Sequence, residues 1–274
     1  MKKRMLKAAA FLLVTGGLLT ALYPSIRNFG NGFTQSKAIH DYQEAVDAMT
    51  SADREKAWAQ AAAYNQKLKE QGQSWTLSKK EAGEYEAQLS ITGQGIMGYI
   101  HIPRIDCTLP ICHGTEENVL RWAAGHIEGS SLPVGGKGSH SVISGHRGLP
   151  SARLFTDLDQ VEIGDTFTIY VLDKTLTYQV NEIKTVLPKE TESLKIRPDE
   201  DLCTIVTCTP YGINSHRLLV TGRRIETPNQ PVETDPLKQW IYRLTVMAVL
   251  LLAAAFCTVL LHRRKNKERN KSNE

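Results

Sequence analysis

The sequence predicts a mainly β domain, a closed or nearly closed antiparallel barrel carrying short helices, preceded by a helical region and flanked by two apolar segments. Three observations predict it. From Gly98 onward the chain is built of short β-rich runs separated by Gly, Pro, Asp and Lys turns, without the regular strand–helix alternation of a parallel sheet. Ahead of Gly98 the apolar residues recur at helical intervals. At each end an apolar run sits beside a cluster of Lys and Arg.

The two ends account for the charge. The chain has 274 residues and a formal net charge of +4, and its basic clusters are Lys2, Lys3 and Arg4 at one end and Arg263, Arg264, Lys265, Lys267, Arg269 and Lys271 at the other. Without interleaved aromatic residues these tails argue against nucleic acid and for the cytoplasmic flanks of membrane spans. The first run, Met5 to Tyr23, carries no charge after Lys7. It continues through Leu18, Leu19, Ala21 and Leu22 without a clean small-x-small site, which favours a retained anchor over a cleaved signal peptide. The second, Leu244 to Leu261, has 18 residues without a charge, preceded by Trp240, Tyr242 and Arg243. With both basic clusters inside, the intervening chain is expected outside the cell membrane. The expected order is an N-terminal anchor (1–23), a helical stalk and lid region (24–96), the barrel (97–226), a Pro-rich linker (227–239), a second span (240–262) and a basic cytoplasmic tail (263–274).

Within the helical region, Ile39, Tyr42, Val46 and Met49 keep the helical interval, and Trp58, Ala61, Tyr64 and Leu68 repeat it after a break near Thr50–Asp53. These helices pack on the barrel or cover its site; periodicity does not separate the two. Trp75 follows in a hydrophilic surround. Strands are expected at Tyr99–Pro103, Thr108–His113, Ser139–Ser144, Thr166–Leu172 and Leu176–Leu187, with short helices near Glu116–Ala124 and Ala152–Leu158.

The chemistry centres on Thr204-Ile205-Val206-Thr207-Cys208. Alternation sets Thr204, Val206 and Cys208 on one face, with the cysteine where strand gives way to loop. The turn Pro210-Tyr211-Gly212-Ile213-Asn214 and the run opened by Arg217 then form a hairpin that brings thiol and guanidinium together. Cys107 and Cys112 read as small buried hydrophobes, Cys257 lies in the second apolar run, and a Cys203–Cys208 disulfide would be strained, so Cys208 is a free thiol. Among eight histidines, His146 stands out. It follows the run His140–Ser144 and is flanked by Gly145 and Gly148, which can present an imidazole at a strand end. Cys with such a His is an activated-thiol pair, although the pair alone is a weak signal and His216 competes with His146. His140 and His146 lack further ligands at metal spacing, and no cofactor site stands out.

Thr204–Cys208, Arg217 nine residues on and Ser144-Gly145-His146 resemble the sortase signature. Gly98–Pro103, Leu109-Pro110-Ile111, His113-Gly114-Thr115, Gly125-His126, Ser131–Gly136, Gly145–Pro150 and Cys208–Asn214 resemble the class C, pilus-assembling sortases, over about Met97 to Arg224. The resemblance implies an eight-stranded barrel and a transpeptidase acting on LPXTG-like sorting signals of secreted pilins or surface proteins. In it Cys208 attacks the Thr–Gly carbonyl to form a thioester, His146 serves as general acid and base, and Arg217 stabilises substrate or oxyanion. A pilin lysine or a cell-wall amine resolves the thioester.

Class C sortases commonly carry an Asp-Pro-aromatic lid just before the barrel, its Asp approaching the active-site Arg. Here the corresponding place holds Ser74-Trp75-Thr76, which lacks that carboxylate. Trp75 is expected as the surviving plug, and Thr207 is carried with it as a substrate-binding or lid position. Two other readings stay open: a hydrolytic cysteine peptidase using the same pair, and a binding module in which Cys208 is simply buried. Within the resemblance, housekeeping anchoring of surface proteins to the cell wall is the rival to pilus polymerisation.

Overall fold

The computed structural model describes residues 2–149, 152–227, Ile241 and Thr245. Its first compact unit ends at Pro231, and the second apolar run lies, apart from Thr245, outside the described residues. Three helices lead in. Helix α1 spans Lys2–Asp47, α2 spans Ser51–Gln71 and α3 spans Lys79–Glu86. Thr50 caps α2 by accepting from the Asp53 amide, at the break expected from the sequence. Ser78 and Glu81 close a reciprocal capping box at the start of α3, a helix absent from the sequence expectation. Among the described residues no helix is long and apolar enough to cross a membrane.

Eight strands follow: β1 (Ile96–Ile102), β2 (Cys107–His113), β3 (Ala124–His126), β4 (Ser139–Ser144), β5 (Thr166–Val171), β6 (Lys174–Val186), β7 (Asp201–Thr209) and β8 (His216–Ile225). They close into a barrel in the order β1-β2-β3-β4-β7-β8-β6-β5. The barrel departs from the antiparallel expectation at two seams, where β2 pairs parallel to β3 and β4 parallel to β7. Parallel neighbours need a crossover rather than a hairpin. The first crossover contains the short helix α4 (Glu117–Leu120), inside the stretch expected to be helical. The stretch expected as a second short helix, Ala152–Leu158, instead forms turns, with a single 3-10 turn at Leu158–Gln160.

Burial follows the pleat. In β7 and β8, Cys203, Ile205, Leu218 and Val220 point into the main core, while Val206 and Leu219 point outward into a satellite cluster with Val142 and Leu194. The helices share the main core. Ile39, Tyr42, Val46, Ala61 and Tyr85 belong to it. The Tyr42 hydroxyl donates to Met97 O at 3.1 Å and accepts from Leu172 N at 2.8 Å. Asn65 exchanges two hydrogen bonds with the Leu132 backbone, at 2.7 and 3.0 Å. The helical region from about Gln35 on is therefore part of the folded body.

Candidate active site

The hairpin expected around Cys208 is present. Strands β7 and β8 pair antiparallel with Cys208 opposite Arg217, Val206 opposite Leu219 and Thr204 opposite Thr221. Directly opposed residues share a face, so thiol and guanidinium both lie on the barrel's outer surface. His216 falls opposite Thr209 on the other alternation and is bonded to Ser215 Oγ at 2.9 Å. Its competition with His146 ends there.

The parallel seam supplies the third residue. Ser144 pairs with Val206, and Gly145 N donates to Val206 O at 3.1 Å. Because this pairing is parallel, β4 and β7 run out at the same end of the barrel, so the loop carrying His146, two residues past Ser144, leaves the sheet at the end where Cys208 lies. Two details hold it there. The Thr207 hydroxyl donates to Gly145 O at 2.8 Å, and a Cβ at Gly145 would overlap the ring of Phe155, so only glycine allows the loop to lie so close. Thr207 is 1% exposed and faces the barrel's inner side. The expectation that it contacts substrate or lid is corrected: its place in the pleat turns it away from Cys208, and its hydroxyl ties down the His146 loop.

Cys208 also differs from the other described thiols in exposure. Cys107, Cys112 and Cys203 are buried and free, whereas Cys208 is partly exposed. Burial pushes the Cys107 and Cys112 thiols up to about 12 and raises that of Cys203 too, so these three stay protonated and inert. The other barrel histidines are occupied structurally. His126 lies between Ser131 O and the Tyr85 hydroxyl, and burial lowers its pKa to about 4. His140 is held by Lys195 O and Thr204 Oγ1 and is lowered by burial. His113 contacts Gly95 O and Gln88 O, and His101 contacts Thr108 Oγ1.

The guanidinium of Arg217 donates to the carbonyls of Asn214 and His216, at 3.2 and 3.0 Å. Among the described residues no carboxylate pairs with it. Trp75 packs on the outward cluster of Val142, Leu194, Val206 and Leu219, the surface that runs up to Cys208 and Arg217. Its segment is fixed on both sides. Gln73 accepts from Ile196 N at 2.7 Å, and a Cβ at Gly129 would overlap the Ser74 carbonyl.

Two residues with no distinctive sequence pattern complete the surroundings. Glu117 Oε2 lies 3.3 Å from His146 Nε2. Arg147, whose side chain is 8% exposed, pairs with Asp159, reaches Thr209 Oγ1 at 3.5 Å and stacks over Tyr211. Neither contact has a sequence signal, because each joins segments whose approach is set only by barrel closure.

A sortase-domain family model matches residues 100–225. Sortase C1 from Streptococcus agalactiae is 49% identical over 70% of this chain and 99% of its own, with a TM-score of 0.69. The chain belongs to the sortase family. Sortase C from Streptococcus pneumoniae, whose structure was described in terms of catalysis and pilin substrate specificity, is 43% identical over 70% of this chain and 97% of its own, TM-score 0.63. Sortase C from Clostridium perfringens, solved with the C-terminal cell wall sorting motif, is 40% identical over 70% of this chain and 99% of its own, TM-score 0.62. These three solved neighbours are sortases C, and the chain is a sortase, a cysteine transpeptidase acting on peptide bonds.

Proposed function

We propose that this sortase polymerises pilins at the outer face of the cell membrane, cleaving LPXTG-like sorting signals between Thr and Gly and passing the acyl group to a pilin lysine. The observation that carries the reading is the register that sets Cys208 opposite Arg217, at the end of the barrel where the parallel β4–β7 seam releases the His146 loop. The Cys208 thiolate attacks the threonine carbonyl, and the tetrahedral intermediate collapses to a thioester as the glycine amine departs. His146 gives that amine its proton and later takes one from the incoming lysine ammonium. Arg217, a permanently charged fork of donors, faces the developing oxyanion or the substrate's own carbonyls. The apolar floor of Val142, Val206 and Leu219 suits the leucine and proline of the signal, and Trp75 lies over that floor as a cover.

The two apolar runs anchor the chain, with the barrel outside and both basic ends in the cytoplasm. The likeness to two sortases C over nearly their whole lengths supports pilus assembly over wall anchoring. Incubating the protein with an LPXTG peptide and a lysine-containing pilin peptide tests the reading. An isopeptide-linked product supports it. Hydrolysis alone makes the protein a peptidase, and transfer confined to cell-wall amines makes it an anchoring sortase.

A further inference from the structure

The catalytic reading leaves one side of His146 unexplained. Its imidazole is 27% exposed, and Nε2 lies 3.3 Å from Glu117 Oε2. Glu117 is the first residue of α4, in the crossover between β2 and β3, so this contact joins the two parallel seams of the barrel. The carboxylate is itself held: its other oxygen accepts from Arg121 Nε at 3.0 Å, one helical turn on. Glu117, with Arg121 behind it, reaches His146 from α4; Arg147 on the same loop turns instead to Asp159 and Thr209; and Cys208 and Arg217 lie at the adjoining ends of β7 and β8. Among the described residues, Glu117 alone meets the imidazole with an acceptor oxygen.

We infer that Glu117 is a positioning residue for catalysis: its carboxylate accepts from Nε2–H of His146, fixing ring orientation and tautomer so that Nδ1 carries the lone pair that exchanges protons at the thiol and the amines. An ionised carboxylate can only accept, and Arg121 first, with His146, keeps the Glu117 carboxyl below its usual range and hence ionised. The proton of a neutral His146 therefore sits on Nε2, and a partner at one ring nitrogen determines which nitrogen is free for chemistry. Glu117 itself touches no substrate atom in this scheme.

The role rests on the catalytic reading given above, so its test needs a readout that does not depend on turnover. In the full chain labelled with 15N-histidine, the His146 ring nitrogens report the tautomer directly, and single-turnover thioester formation on an LPXTG peptide reports the rate. Glu117→Ala is expected to replace the Nε2–H signature with a mixture of tautomers and to slow acylation roughly 10-fold, a part of what general acid–base catalysis supplies, at unchanged KM for the peptide. Glu117→Gln, whose amide oxygen still accepts, is expected to recover much of both. A His146 spectrum unaltered by Glu117→Ala, or a loss confined to the KM of the amine acceptor, overturns the positioning role. A wild-type chain that forms no thioester while its His146 tautomer responds to Glu117→Ala refutes the catalytic reading and upholds the contact.

Discussion

Cys208 and Thr207 are neighbours in β7 with opposite duties, assigned by the pleat. The thiol points outward beside Arg217, while the threonine points inward and its hydroxyl reaches Gly145 O. Replacing Thr207 by Val keeps the shape and removes the donor, leaving a buried carbonyl without its partner. The expected cost is about 1–2 kcal/mol, measured by urea unfolding, together with slower acylation because the His146 loop loses its tie. Wild-type stability and rate in that variant would mean that the Phe155 contact alone positions the loop. Arg217 in turn is free of any carboxylate partner among the described residues, so no ion pair has to break before it can meet an anionic intermediate.

At the scale of elements, the segment joining α2 to α3 crosses the outward face of the sheet. It is fixed to the β6–β7 connection through Gln73 and against Gly129 through Ser74, and Trp75 sits between on Val142, Val206 and Leu219. Trp75→Ala is expected to raise the rate of Cys208 alkylation and of peptide cleavage, measured side by side. Unchanged rates for both would leave Trp75 a packing residue. The β7–β8 hairpin was legible in the sequence because its two key residues are nine apart, and turn chemistry alone sets their approach. The parallel pairing of β4 with β7 was not, because it joins segments 62 positions apart in register, Ser144 with Val206. His146 was therefore marked by its flanking glycines and by family resemblance rather than by geometry, and Glu117, whose only distinction is where α4 lands, by neither. Strand β3 is three residues long, too short to show alternation. Helix α3, by contrast, had a readable signal in the Ser78–Glu81 capping box.

For the whole molecule, the buried His126 links the helices to the barrel, since its ring meets Tyr85 of α3. Its pKa falls from an ordinary 6.5 to about 4 on folding, chiefly through burial. Between those values the unfolded chain binds the proton and the folded chain does not, so stability rises with pH across that window. The contribution is complete above about pH 6.5 and is lost progressively as pH falls towards 4, by an amount on the order of 3 kcal/mol. His140, lowered in the same direction, adds to the trend. Urea midpoints between pH 4 and 7 check this: a flatter profile in His126→Gln is expected, and an unchanged one would place the acid sensitivity elsewhere. The same packing makes the helical region part of the enzyme's stability, because Tyr42, Asn65 and Tyr85 all bond into the barrel.

The central claim is that the partly exposed thiol at the Arg217 register is the nucleophile, and intact-mass analysis after mixing with an LPXTG peptide tests it most directly. The wild-type protein is predicted to gain the mass of the peptide up to its threonine, as a hydroxylamine-labile adduct on Cys208, and Cys208→Ala to gain none. An adduct that persists in Cys208→Ala, or that maps to Cys107, Cys112 or Cys203, would contradict the account.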